Sequence, residues 1–155
     1  MTESELRALI DACPDGGTAV LPNESIDIAA DLSTYGKAIF LKGAGSDHNH
    51  YGTGPQHGSI LRWIGPEGGT LLRMGNSRGG GLDGVALDAR GIADYALQVV
   101  SSWWAVYNDL YVMNGRSAAL DITTVDMGPL VEDTQGCMFS NISAIANGTP
   151  FGIRL

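Results

Sequence analysis

Apolar and polar residues alternate along this chain with two different periods. Over 2–13, TESELRALIDAC, the residues Leu6, Leu9, Ile10 and Cys13 recur at helical spacing and form one apolar stripe. Thr2 followed by Glu5 has the spacing of a capping box, and Pro14 with the turn Asp15-Gly16-Gly17 stops the helix. Beyond that point the period drops to two. Short apolar runs separated by Gly, Asn, Asp and Ser predict strands at 19–21, 26–28, 38–42, 59–63, 70–74, 82–87, 96–99, 105–112, 118–122, 137–145 and 151–155. One terminal helix followed by many short strands leaves a sandwich, a barrel or a solenoid.

Spacing decides among these. LDGVAL (82–87), YNDLYV (107–112) and FSNISA (139–144) align on Val85, Leu110 and Ile142, with intervals of 25 and 32 residues. ALQV (96–99), ALDI (119–122) and GIRL (152–155) align on Leu97, Leu120 and Ile153, with intervals of 23 and 33. Both series lengthen across 123–136, so one loop insertion of roughly nine residues explains both. The first series extends backward less cleanly, through Ile39 and Ile60. A repeat near 24 residues with strands and no helix is one coil of a parallel β-helix. The prediction is therefore an all-β chain. A right-handed parallel β-helix of about five coils fills 18–155 as a single domain, and the 2–13 helix covers the unpaired strand edges of the first coil.

Composition fits many tight turns. The chain has 22 glycines in 155 residues, and only 17% of its residues are charged, where about 25% is usual. A net charge of −8 repels phosphate backbones, which argues against nucleic-acid binding and against steering to an anionic membrane. No apolar run approaches the roughly 20 residues that span a bilayer. Acidic residues stand where a signal peptide needs basic ones. Cys13 and Cys137 sit among apolar residues and read as buried free thiols.

GGTAVLPNESIDI (16–28) and AIFLKGAGSDHNHYGTGPQHGSILRW (38–63) resemble the opening of pectate-lyase-like β-helices. In that superfamily a capping helix leads to Gly-Gly, an apolar strand and a proline, and then to a strand, a Gly-x-Gly turn and a further strand. Such openings occur in phage tailspikes and polysaccharide depolymerases. The PNES turn departs from the usual Pro-x-Gly-Thr-Tyr. The resemblance implies a virion or extracellular location, a polysaccharide ligand, and trimerisation about the long axis. It also implies more coils than are counted here, which favours a piece of a longer chain over a short protein whose open end a partner covers. Calcium is the one cofactor the resemblance admits, and the reading otherwise needs none. The Asn-Thr-Asp, Asp-Asp and Gly-His-Gly patterns of polygalacturonases are absent, so no family catalytic residue carries over.

Candidate chemistry lies in several places. Trp103 and Trp104 precede the 105–112 strand; facing outward, either offers a stacking surface for a sugar ring, and facing inward, a core plug. The parity of Tyr107 and Tyr111 sets them on one face beside these tryptophans. Asp83, Asp88, Asp109 and Asp121 lie in or beside stacked strands. Coils about 4.8 Å apart bring equivalent carboxylates to about 5–10 Å, which spans glycosidase geometries, and Asp109 with Asp121 is the catalytic candidate pair. The alternative is a set of solvated turn charges. Arg73, Arg90 and Arg116 are candidate cationic groups for a lyase, and Arg116 is also a candidate binding residue. Asp126, Glu132 and Asp133 stand in the insertion. His48, His50 and His57 cluster with Tyr51 in a Gly-rich loop that reads as a surface loop before a metal site. Asn108 and Asn141 read as an internal asparagine stack. Three functions are weighed: a tail-spike or fibre module that binds bacterial surface glycan, a polysaccharide lyase or glycoside hydrolase, and a structural virion decoration protein.

Overall fold

The computed structural model describes residues 1–47, 55–123, 125–126, 131–132, 134–146 and 150–155. It is mostly β, with large parallel sheets and, among the described residues, one helix. Helix α1 (Glu3–Ala12) opens the chain. Strands β1 (Thr18–Val20), β2 (Ser25–Ile28), β3 (Leu32–Ser33), β4 (Phe40–Lys42), β5 (Ser59–Trp63), β6 (Thr70–Arg78) and β7 (Gly81–Asp88) follow. Then come β8 (Tyr95–Trp103), β9 (Val106–Met113), β10 (Ala118–Thr123), β11 (Val125–Asp126), β12 (Val131–Glu132), β13 (Met138–Ile145) and β14 (Phe151–Arg154).

The strands form three parallel ladders. The first joins β1, β4 and the leading halves of β7, β9 and β13, so that Ala19, Leu41, Leu82, Tyr107 and Phe139 stand in one register. The second joins β2, β5 and the trailing halves of the same three strands, with Ile26, Leu61, Leu87, Val112 and Ala144 in line. The third joins β3, β6, β8, β10 and β14 through Leu32, Leu72, Leu97, Leu120 and Ile153. Apart from Ile153, which is exposed, these three apolar columns line one continuous core. Val85, Leu110 and Ile142 pair directly, as do Leu97, Leu120 and Ile153, which are the alignments the spacing proposed. The large sheets do not close on themselves.

Two backward extensions need correction. Val85 pairs with Ser59, not Ile60, and Ile60 faces away from the main core in a smaller cluster with Ala86, Tyr111 and Met113. An inward serine is tolerated because its hydroxyl is fully satisfied: Ser59 Oγ accepts from the Ala44 N–H at 2.9 Å and donates to the Pro22 carbonyl at 2.7 Å. Ile39 lies just before β4, outside its pairings, and its carbonyl accepts from Gly81 N–H.

The bend between the first and second ladders has a local cause. Gly84, Asp109 and Asn141 are skipped by the pairings on both sides, and all three have left-handed φ, of 65°, 50° and 50°. Asn141 Nδ2 donates to Asp109 Oδ1 at 2.8 Å, and Ser46 Oγ donates to the same oxygen at 3.2 Å. Short polar side chains tolerate this conformation because they hydrogen-bond locally. The predicted asparagine stack is therefore one residue out of step. Asn108 pairs with Ser140 within a strand, while Asn141 stacks on Asp109 at the bend.

Helix α1 packs against the core beside the first strands. Thr2 and Glu5 form the capping box, and Leu6 and Ile10 are buried against the core. Each such side chain contributes about 1.5–3 kcal/mol by burial. Charged groups pin both ends of the helix. Glu3 accepts from the Ala29 N–H at 2.8 Å, Arg7 donates to the Ala30 carbonyl at 2.7 Å, and Lys37 Nζ donates to the Ile10 and Asp11 carbonyls at 2.7 and 2.8 Å.

In the insertion, β11 and β12 pair antiparallel. The chain rejoins the stack at Gln135, whose N–H donates to the Ser102 carbonyl at 2.9 Å. Cys13 is buried, whereas Cys137 is only half-buried; both are free thiols.

Candidate functional site

Trp103 and Trp104 precede β9 as the sequence predicts, but Trp103 also belongs to the strand before it. Strand β8 runs through Trp103, and Trp104 makes the corner into β9. Trp103 is half-buried, in register with Arg78. Trp104 is 64% exposed with φ +52°. A bulky side chain in the left-handed region costs about 1–2 kcal/mol, so the surroundings must hold it there. Its N–H donates to the Gln135 carbonyl at 3.0 Å. The returning chain passes so close that a β-carbon on Gly136 would lie 2.5 Å from indole Cδ1. The guanidinium carbon of Arg78 stands 5.9 Å from the ring centroid, within cation–π range. The indole is thus braced and still open to solvent. Val106 and Met138, also exposed, stand in register on the adjoining first ladder.

The two tyrosines do not join this surface. Residues four apart in an unbroken strand share a face, but the bend at Asp109 separates them. Tyr107 points into the core, stacked on Phe139 at 4.8 Å with its hydroxyl 3.3 Å from Ser102 Oγ. Burial pushes its phenol well above the ordinary tyrosine range. Tyr111 points the opposite way, yet it too is buried, in the small outer cluster with Ile60 and Met113. Arg116 lies between β9 and β10, at a different corner from Trp104, and is engaged by Glu67 and Asp94.

The carboxylates are dispersed. Asp109 stands at the bend between the first two ladders, and Asp121 lies on the third. None of the four strand carboxylates stacks on another. Asp83 is in register with Lys42 and Asn108, Asp88 with Arg62 and Met113, and Asp121 with Gln98 and Arg154. Alternation of this kind avoids like charges in cross-strand contact. Asp83 accepts from Asn108 Nδ2 at 2.7 Å, and Asp88 accepts from Asn114 Nδ2 and from the Arg90 N–H, each at 2.9 Å. Among the described residues, no three His, Cys, Asp or Glu side chains group as metal ligands. These strand carboxylates are spread over separate ladders and hydrogen-bonded to amide and guanidinium groups.

Asp121 belongs to a polar row along the outside of the third ladder. Arg73 Nε donates to Gln98 Oε1 at 2.8 Å, Gln98 Nε2 donates to Asp121 Oδ2 at 2.9 Å, and Arg154 Nε donates to Asp121 Oδ1 at 2.6 Å. Arg154 also donates to the Tyr95 hydroxyl at 2.8 Å. Asp121 is 1% exposed. Its hydrogen bond, followed by the one to Tyr95, holds the Arg154 guanidinium even more firmly protonated than usual. A shallow hollow of about 320 Å³ runs beside this row, lined by Tyr35, Arg73, Gln98, Val100 and Thr123.

Sequence reasoning singled out neither Tyr35, Gln98 nor Arg78. The signal for the row was present: Arg73, Gln98, Asp121 and Arg154 each follow by one residue the aligned column Leu72, Leu97, Leu120 and Ile153. Tyr35 and Arg78 had no such marker.

Several candidates lie partly or wholly outside the described residues. His48, His50, Tyr51 and Asp133 are outside them, as are the side chains of Asp126 and Glu132. His57 is described, and its N–H and that of Gln56 donate to Asp47 Oδ2 at 2.9 and 2.7 Å.

No family model matches this chain, and neither the curated proteins nor the solved structures contain a significant match to it.

Proposed function

We propose that the chain forms a right-handed parallel β-helix of the phage tail-spike or fibre type and binds bacterial surface polysaccharide. The fold half of this reading is supported by three parallel ladders visited in a fixed order, with in-register apolar columns. The binding half is carried by one observation: Trp104 is held in a costly backbone conformation with its indole braced and exposed. Residues held in sparsely populated backbone conformations cluster at sites of function. A fixed indole offers a sugar ring a large contact area with no side-chain ordering left to supply. Location on a virion or outside the cell, and trimerisation about the long axis, belong to the same proposal.

The test is a panel of bacterial surface polysaccharides titrated against Trp fluorescence, with Trp104→Gly as the control. Glycine relieves the left-handed strain, so the variant is expected to keep or raise the thermal midpoint while losing at least about tenfold in affinity. Unchanged affinity in Trp104→Gly removes the proposed site. A lyase or hydrolase built on Asp109 and Asp121 would need both in one groove; Asp109 stands at the bend between the first two ladders and Asp121 on the third.

A further inference from the structure

The hollow on the third ladder is a second surface, separate from the Trp104 corner. Arg73 is exposed, and its Nε is already committed to Gln98. Among the described residues it forms no ion pair, and it lines the hollow with guanidinium N–H donors beyond the one given to Gln98. A guanidinium fork matches a carboxylate in plane and spacing. Tyr35, 38% exposed, lines the same hollow with an aromatic ring, and Val100 lines it too.

Charge decides what kind of carboxylate fits. Along the row, Arg73 and Arg154 contribute two positive charges and Asp121 one negative, a local excess of one positive. The whole chain carries −8. A densely charged polyanion is repelled by the whole surface over a distance set by the screening length, about 8–10 Å at ordinary salt. A glycan with isolated carboxylates meets the local charge without that penalty. We propose that this hollow binds a single acidic sugar within an otherwise neutral glycan, with the carboxylate on Arg73 and the ring against Tyr35. The inference rests on the glycan-binding reading above and names the charge class of its ligand.

The experiment is calorimetric titration of the intact protein with sialyllactose, with lactose and with polygalacturonate, repeated on Arg73→Gln, Arg73→Lys and Tyr35→Ala. Circular dichroism and the thermal midpoint serve as folding controls. Sialyllactose is expected to bind, and lactose to bind at least about tenfold more weakly. Polygalacturonate is expected to bind more weakly per carboxylate at low salt. Arg73→Gln is expected to abolish the preference for sialyllactose over lactose, and Arg73→Lys to reduce it, since charge remains but the fork is gone. Tyr35→Ala is expected to weaken sialyllactose binding in a folded protein. Equal affinity for sialyllactose and lactose overturns this inference while leaving glycan binding standing. The same holds for unchanged preference in folded Arg73→Gln, or for tightest binding to the polyanion. Failure of every sugar here and of every polysaccharide in the wider panel removes both readings.

Discussion

At the scale of single residues, this molecule is governed by where the backbone leaves the strand conformation. Alternation placed Val85, Leu110, Leu97 and Leu120 on the inside correctly, because side chains in an unbroken strand change face at every step, but it put Ile60 where Ser59 stands. It misplaced Tyr107 against Tyr111, because Asp109 between them is left-handed. Aspartate and asparagine adopt that conformation only sometimes, so the letters at 109 and 141 did not announce the bend. Glycine is more restrictive at 75. With φ +131°, a β-carbon there would meet the Val100 carbonyl oxygen at 1.8 Å. Gly75→Ala is expected to destabilise the fold by about 3 kcal/mol or more, read as a shift in the urea midpoint with the slope unchanged. A shift under about 0.5 kcal/mol would mean that β6 and β8 do not approach so closely.

Among elements, the helix is the most legible and the bent strands the least. The stripe of Leu6 and Ile10, the capping box and the stop at Pro14 were all written locally. What the helix docks on was not, because Glu3, Arg7 and Lys37 reach partners 23 to 27 residues away. Thr2→Ala is expected to cost about 0.5–2 kcal/mol, measurable by thermal denaturation. The helix also sets an acid limit. Burial alone would raise the Glu3 carboxyl, but the Ala29 N–H and Arg7 outweigh it and hold the pKa below the ordinary value of 4.5. The Thr2 N–H and hydroxyl lower Glu5 similarly. Groups whose folded pKa is depressed contribute stability at pH values above the unfolded one and lose it as pH falls through the folded value. The thermal midpoint is therefore expected to drop below about pH 4.5, and Glu3→Gln to flatten that part of the profile. A parallel profile in the variant would show that Glu3 does not contribute.

For the whole molecule, the repeat was legible because apolar columns recur at intervals that a stacked fold imposes. The function was less so. Chemistry on such a stack belongs to residues on different turns of chain, and their meeting depends on register. The row from Arg73 to Arg154 is one example. The Trp104 corner is another, since its brace comes from Gln135 and Gly136 at the end of the insertion. Everything rests on parallel stacking in that register. The direct test is a spin-label distance between Val20 and Ser140, which stand four rungs apart on the outside of the first ladder, in line with Lys42, Asp83 and Asn108. The labels would be attached at Val20→Cys and Ser140→Cys, with Cys13→Ala and Cys137→Ser removing the native thiols. Rungs about 4.8 Å apart predict one narrow distribution centred near 19 Å; a broad distribution, or a centre beyond about 30 Å, contradicts the stack.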